Sequence, residues 1–218
     1  MSNVYSDQHR QFQDQFSTRK MADRLEDMLV KSSLDDMAKG FIESRDFFFL
    51  SSVDQQGHPT VSFKGGDPGF VRVVDPQTLA FPSYDGNGMF FSMGNISSNP
   101  KIGILFIDFE HPHRMRFHGE ASVTANDPLL ASYPEAELMV RVKLTKAWVN
   151  CPRYIPRMQR VAASRYVPRA ACETPLAVWK RIDAVQDVLP PKDIGKPAAA
   201  GGVITFDEYM AKLMQGEA

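Results

Sequence analysis

The sequence predicts a mainly β protein with flanking helices (α+β), its body a small antiparallel β-barrel. Three observations carry that expectation. Between Thr60 and Gly119, short β-branched and aromatic runs are punctuated by glycine, proline and asparagine at intervals of about ten residues, the spacing of antiparallel strands in a barrel or sandwich. Ahead of them, Leu34, Met37, Ala38, Phe41 and Ile42 recur at i, i+3, i+4, i+7 and i+8, a helical stripe. At 218 residues the chain exceeds one average domain without reaching two, so a single core with terminal extensions accommodates both patterns.

In chain order, Phe12, Phe16, Leu25, Met28 and Leu29 fall at rough helical spacing interrupted at Ser17 and Thr18, which predicts helices covering part of the barrel. Ser33 is the expected N-cap of the helix that starts at Leu34. Phe47 to Val53 reads as an aromatic strand. Asp54-Gln55-Gln56-Gly57 is a turn in which glycine supplies a positive φ, and Thr60 to Lys64 completes the hairpin. Gly65 to Gly69 breaks the pairing, Phe70 to Val74 resumes it, Asp75-Pro76 turns, and Leu79 to Tyr84 is the next strand. Asp85-Gly86-Asn87-Gly88 has first of all the composition of a hairpin turn, and also that of a loop whose main-chain N–H groups turn toward an anion.

Met89 to Pro100 then reads as a short capped helix, Lys101 to Phe109 as a buried strand and His111-Pro112-His113 as a turn. Alternation in Arg114 to Thr124 places Met115, Phe117 and Gly119 on one face and the basic Arg114, Arg116 and His118 on the other. Pro128 to Tyr133 is a short helix and Ala136 to Trp148 a long strand. Beyond it, Asn150 to Arg157 is rigid, aromatic and basic, and prolines recur to Pro197, which predicts a tail that wraps over the barrel or its partner. Thr205-Phe206-Asp207-Glu208 is a capping-box pattern that opens a last amphipathic helix. The expected organisation is a helical extension over residues 1–45, the barrel over 46–150 and a wrapping segment with a terminal helix over 151–218.

Composition narrows the function classes. Apolar residues make up 43% of the chain and charged ones 23%, with a net charge of -1, so no global field attracts polyanions and nucleic acid is not an expected partner. There are two cysteines, Cys151 and Cys172, and the first residues lack the basic and apolar regions of a signal peptide, which predicts a cytoplasmic, disulfide-free protein. No apolar run approaches the ~20 residues that cross a bilayer, so no membrane is expected either. The histidines His58, His111, His113 and His118 lack the spacing of a closed metal site, and no metal is expected. Nucleophile-elbow, phosphate-loop and dinucleotide signatures are missing, which argues against hydrolase, kinase and Rossmann chemistry.

Four stretches taken in order carry a resemblance. They are FFFLSSVDQQGHPTVSFKGGDPGFVRVVD, TLAFPSYDGNGMFFSMGNISSNPKIGILFIDF, HRMRFHGEASV and AWVNCPRYIP. Together they resemble the pyridoxamine 5'-phosphate oxidase-like, FMN-binding split-barrel superfamily, in its flavin-nucleotide-binding branch, over about Phe47 to Pro156. The resemblance implies a six-stranded antiparallel split β-barrel that pairs with a second copy across a dyad, holds FMN at the dimer interface and lets the partner close over the ring. It also implies an oxidoreductase acting on a small-molecule electron donor or acceptor, its substrate unknown. A non-enzymatic flavin or haem carrier on the same barrel is the alternative.

One departure matters to the site. Where the oxidases follow the strand corresponding to Leu79 to Tyr84 with cations for the FMN phosphate, this chain has Asn87, Gly88 and Met89. Lys64 or Arg72 is therefore expected to replace the clamp, with main-chain N–H groups of Gly88 and Met89. Each has an ordinary alternative, Lys64 as a solvated strand-end charge and Arg72 in an ion pair with Asp67 or Asp75. Ser83 and Tyr84 align with positions that contact ribityl and ring, Ser62 lies in the strand that carries Lys64, and Trp148 is either core or a wall beside the flavin. Arg153, braced by Pro152 and Pro156, is either a site residue or part of the dimer interface. No residue stands out as catalytic.

Overall fold

The computed structural model describes residue 2 and residues 4–217. Three helices open the chain, α1 (Asp7–Gln15), α2 (Arg19–Leu29) and α3 (Asp36–Glu43). The first two part at Ser17, whose φ of 55° is left-handed, where the apolar pattern also breaks. α3 starts later than expected, because Asp35 and not Ser33 caps it, the Asp35 carboxylate accepting the Ala38 N–H at 2.8 Å. Leu34 stays outside the helix, its side chain buried and its N–H donating to the Pro76 carbonyl at 2.7 Å. Met37, which its spacing assigned to the apolar stripe, is 83% exposed.

Seven strands follow: β1 (Phe47–Val53), β2 (Pro59–Gly65), β3 (Arg72–Asp75), β4 (Thr78–Ser83), β5 (Lys101–Asp108), β6 (His113–Thr124) and β7 (Leu138–Asn150). A helix, α4 (Phe91–Ser98), lies between β4 and β5. Every pairing is antiparallel, in the order β2-β1-β5-β6-β7-β4-β3. The six-stranded barrel is thus corrected to a seven-stranded sheet that is not closed. β3, which the sequence marks at Phe70 to Val74, is a short strand of four residues that pairs with β4 alone and slips register between Val73 and Asp75. Between β2 and β3 the chain turns too tightly to pair: a Cβ on Gly66 would meet the Phe70 side chain at 2.4 Å, and Gly69 has a φ of 88°. β2 and β3 are left as the two edges.

The core is built from Phe48 and Leu50 of β1, Phe81 of β4, Ile104 and Phe106 of β5, Phe117 of β6 and Val140 and Val142 of β7, all 3% exposed or less. Each such side chain contributes about 1.5–3 kcal/mol by leaving water. β6 alternates as its sequence does, with Met115, Phe117, Gly119 and Ala121 buried and Arg116, His118 and Glu120 exposed. β7 changes parity part-way. His118 pairs with Lys146 and Gly119 with Leu144, so Thr145 is an extra residue, and the buried set passes from Val142 and Leu144 to Ala147.

That bulge depends on Gly119. A Cβ there would meet the Lys143 carbonyl oxygen and the Val142 Cγ1, each at 2.6 Å. Gly119→Ala is therefore expected to cost about 1–3 kcal/mol, as overpacking of a filled core does. The measurement is the denaturant midpoint, and an unchanged midpoint would mean that the β6–β7 pair yields freely.

The chain divides into two compact units, one ending at Ala163 and the other beginning at Ser164. Residues 151–163 belong with the first through Met158, whose N–H donates to the Phe109 carbonyl at 2.9 Å, and Arg160, paired with Asp46 at 2.7 Å. The second unit contains 3₁₀ helices over Val178–Arg181, Asp183–Val188 and Pro191–Asp193, then α5 (Lys196–Ala199) and α6 (Phe206–Met214). Thr205 and Glu208 form the expected capping box at the start of α6, the Thr205 N–H donating to the Glu208 carboxylate at 2.7 Å. An ion pair between Lys180 and Asp193 at 2.7 Å lies buried in this unit. Among the described residues no helix is long and apolar enough to cross a membrane.

Candidate functional site

Strand β2 has the inverse of an ordinary amphipathic pattern. Its apolar residues Val61 and Phe63 are 71% and 64% exposed, while Thr60, Ser62 and Lys64 are the half-buried set. Register explains this, since Thr60, Ser62 and Lys64 pair with the buried Ser52, Leu50 and Phe48 of β1 and so share the core-facing side. Thr60 and Ser62 meet α4 there.

The contacts advance in step. On α4 the Asn95 amide donates to Ser52 Oγ at 3.1 Å and to Thr60 Oγ1 at 3.4 Å, and one turn earlier Ser92 Oγ lies 2.9 Å from Ser62 Oγ. Moving back along the helix from Asn95 to Ser92 thus moves forward along β2 from Thr60 to Ser62. Ser92 is the second residue of α4, so the first turn lies at Ser62, two residues before Lys64 on the same face of β2. That turn has no side-chain cap, and helix geometry leaves its leading N–H groups without intrahelical partners. Its N-cap residue is Phe90 in the left-handed region (φ 48°, ψ 29°), a conformation that costs a non-glycine residue about 1 kcal/mol or more.

Lys64 itself is a half-buried cation. Burial pushes its ammonium pKa below the ordinary lysine value, and among the described residues no carboxylate opposes the shift. A positive charge, two hydroxyls and an uncapped helix start form a place where an anion is stabilised.

The other expected site residues are distributed elsewhere. Arg72 is on the opposite side of the sheet: it pairs with Ala80, which pairs with Arg141, while its neighbour Val73 pairs with the core residue Leu79. Its guanidinium sits over the Tyr133 ring at 4.6 Å. Tyr84 lies in the same region. Burial, then the charges of Tyr133 and Asp67, push its phenol up to about 12, and Arg72 opposes them. Ser83 is half-buried at the end of β4, its carbonyl accepting the Glu137 N–H at 3.1 Å.

Asn87, Gly88 and Met89 are exposed, and the Met89 N–H is already taken by Asn87 Oδ1 at 3.1 Å. Gly88 has the left-handed φ of 76° expected of a turn. Trp148 is not core: it is half-buried on the outer side of β7, paired with Arg116 and edge-on to His118 at 4.9 Å. Arg153 is exposed. Of the ten residues expected to bind a cofactor, the structure brings together Ser62 and Lys64, and separately Arg72 and Tyr84. Ser92, Asn95, Ser52 and Thr60 were not foreseen, although a serine and an asparagine at i, i+3 beside the apolar Met93 and Ile96 are a signal of a polar contact on the buried helix face.

A family model described as pyridoxamine 5'-phosphate oxidase matches residues 34–165, more than half of the chain and all of the elements just described from α3 to β7. The chain belongs to the pyridoxamine 5'-phosphate oxidase family. No curated protein matches it. Among solved structures it is similar to HupZ of Group A Streptococcus, with 18% identity over 58% of this chain and 99% of that one and a TM-score of 0.45. It is also similar to HutZ, the haem storage protein of Vibrio cholerae, with 20% identity over 53% of this chain and 94% of that one and a TM-score of 0.41. An FMN-binding protein of Syntrophomonas wolfei is similar at 11% identity, over 64% of this chain and 97% of that one, with a TM-score of 0.39. Within this oxidase family fold, the expected phosphate-clamp position is an exposed loop, and Lys64 lies two residues beyond Ser62, which meets Ser92 of α4.

Proposed function

We propose that this protein is an FMN-dependent oxidoreductase, active in the cytoplasm as a homodimer on a small-molecule electron donor or acceptor. The observation that carries the reading is Lys64, a half-buried cation aligned with the Ser62–Ser92 hydroxyl pair at the uncapped start of α4. These groups fit the FMN phosphate: a charge-assisted contact from the ammonium, the one hydroxyl donor that the Ser62–Ser92 bond leaves over and main-chain N–H groups of the helix start. FMN, when bound, supplies two-electron transfer. The chain's part is to hold the phosphate at one end and so fix where the ring lies. Arg72 and Tyr84 do not join that contact in this reading.

A flavin titration tests it. Purified protein freed of ligand is titrated with FMN and with riboflavin, which differ only in the phosphate. FMN is expected to bind at least about tenfold more tightly, the effect of one charge-assisted contact. Equal affinities, or a Soret band in place of flavin absorption in the protein as purified, would refute the reading.

The homodimer rests on a second feature. Phe47, Phe49, Phe63 and Phe109 form a ring cluster on the outer side of β1, β2 and β5, with Phe47 stacked on Phe63 at 5.5 Å and on Phe109 at 6.0 Å. Phe63 and Val61 stay largely exposed in the single chain, as do Phe12, Phe16 and Met28 of the α1–α2 segment. Apolar surface of this extent is ordinarily covered by a partner. Sedimentation at micromolar concentration is expected to give twice the mass of one chain, and Phe63→Glu to shift it toward one. A monomeric wild type would sink the assignment.

A further inference from the structure

We infer that Asn95 is the positioning residue of the phosphate site: by tying the second turn of α4 to β1 and β2 it sets how the first turn stands toward Lys64. The inference rests on the FMN reading above and adds to it a residue that touches no ligand. Asn95 is 8% exposed and Ser52 is 1% exposed, so the amide and the hydroxyl meet in a dry environment. Their contact closes a triangle, with Asn95 Nδ2 to Ser52 Oγ at 3.1 Å, Asn95 Nδ2 to Thr60 Oγ1 at 3.4 Å and Ser52 Oγ to Thr60 Oγ1 at 3.0 Å. A buried polar group is retained where its hydrogen bonds fix one arrangement among several that apolar packing would tolerate.

The arrangement fixed here is the register of a helix on a strand. Met93 and Ile96, the buried apolar residues of α4, pack into the core by contacts that have no directional preference. The Asn95 triangle has one. Its hydrogen bonds hold the helix at Thr60, and Ser92 then falls against Ser62, the residue two before Lys64. A slide of one strand residue pair, about 7 Å, would carry the first turn away from the cation altogether, and a fraction of that distance breaks a hydrogen bond. The strained Phe90 at the N-cap agrees with a helix start held in place by something other than its own capping residue.

The test uses the full chain and two probes, FMN and riboflavin. Asn95→Leu keeps the branched shape of the side chain at a larger volume and leaves Ser52 and Thr60 bonded to each other, so no buried hydroxyl is orphaned. It is expected to weaken FMN about tenfold and riboflavin less than twofold, and to have no further effect on FMN in a Lys64→Met background, because both changes act on one contact. Wild-type FMN affinity in folded Asn95→Leu overturns the inference. So does an equal loss for FMN and riboflavin, which would mean general loosening, and so does full additivity with Lys64→Met.

If Asn95→Leu does not fold, Thr60→Val and Thr60→Ser decide. Valine is expected to lose part of the preference for FMN and serine, which keeps the hydroxyl, to restore it; identical behaviour of the two refutes the role. A Lys64→Met protein that still prefers FMN to riboflavin removes the phosphate site itself, whereas loss in Lys64→Met with none in Asn95→Leu removes only the part assigned to Asn95.

Discussion

Lys64→Met is expected to lower FMN affinity about ten- to a hundredfold, the value of a charge-assisted hydrogen bond of roughly 1.5–3 kcal/mol, with riboflavin affinity unchanged. Methionine keeps the packing of the aliphatic stem and removes only the ammonium, so the variant isolates the charge. The pH dependence has a definite sign. Burial holds the Lys64 pKa below its ordinary value of 10.5, so the ammonium is lost earlier than that of an exposed lysine as pH rises, and FMN affinity falls with it. Without ligand the unfolded chain keeps this proton to higher pH than the folded one. Stability therefore rises with pH between the folded and the unfolded pKa, and Lys64→Met abolishes that rise. Calorimetric titration across the alkaline range reads both effects; a wild-type affinity that is flat in pH would place the phosphate elsewhere.

Strand positions were legible because turns announce themselves. Gly57 has the positive φ that the Asp54-to-Gly57 turn requires, and β1 has the bounds that its aromatic run suggests. The β6 alternation was equally readable, since one side of that strand is core and the other is not. What period-two patterning does not contain is which side is which. In β2 the side with Val61 and Phe63 looks like the core by hydrophobicity alone, yet it is the outer one, and the polar Thr60, Ser62 and Lys64 face inward. The β7 parity change was hidden for a related reason: a single bulged residue, Thr145, leaves no mark in composition.

The site followed the same division. Lys64 is legible as a cation by residue type alone, and its half-burial on the core-facing side of β2 makes it the candidate. Arg72 met the same criterion and lies on the other side of the sheet, because one residue of register decides the side and the tight turn at Gly66 and Gly69 concealed that register. The N–H donors were sought in the glycine-rich loop, where conformational freedom is visible in sequence. They are better offered by the start of α4, whose uncapped state depends on what Phe90 fails to supply and which no motif marks. Long-range contacts such as Ser62 to Ser92, thirty residues apart, are the part of a site that local patterns do not encode.

Asp193→Ala is expected to destabilise the second unit by about 1.5–3 kcal/mol, because it removes a charged hydrogen bond at 2.7 Å from the Lys180 ammonium, which is 3% exposed. Lys196, 3.2 Å from the other Asp193 oxygen, is exposed and returns to water at little cost, so the loss is attached to Lys180. Replacing both partners, Lys180→Met with Asp193→Leu, is expected to recover most of the stability, since an apolar pair of similar volume has no desolvation to offset. The acid dependence follows from the carboxylate. Burial by itself would raise the Asp193 pKa, but hydrogen bonds and charge from Lys180 and Lys196 outweigh it, and the group lies below its ordinary value of 3.8. Its contribution is complete above that value and is lost as pH falls through the lower, folded one. Hydrogen exchange over residues 164–218 measures both variants against wild type. Equal protection in wild type and Asp193→Ala would mean that water reaches Lys180 in solution, and that the ion pair orders the 3₁₀ segments around it without holding them folded.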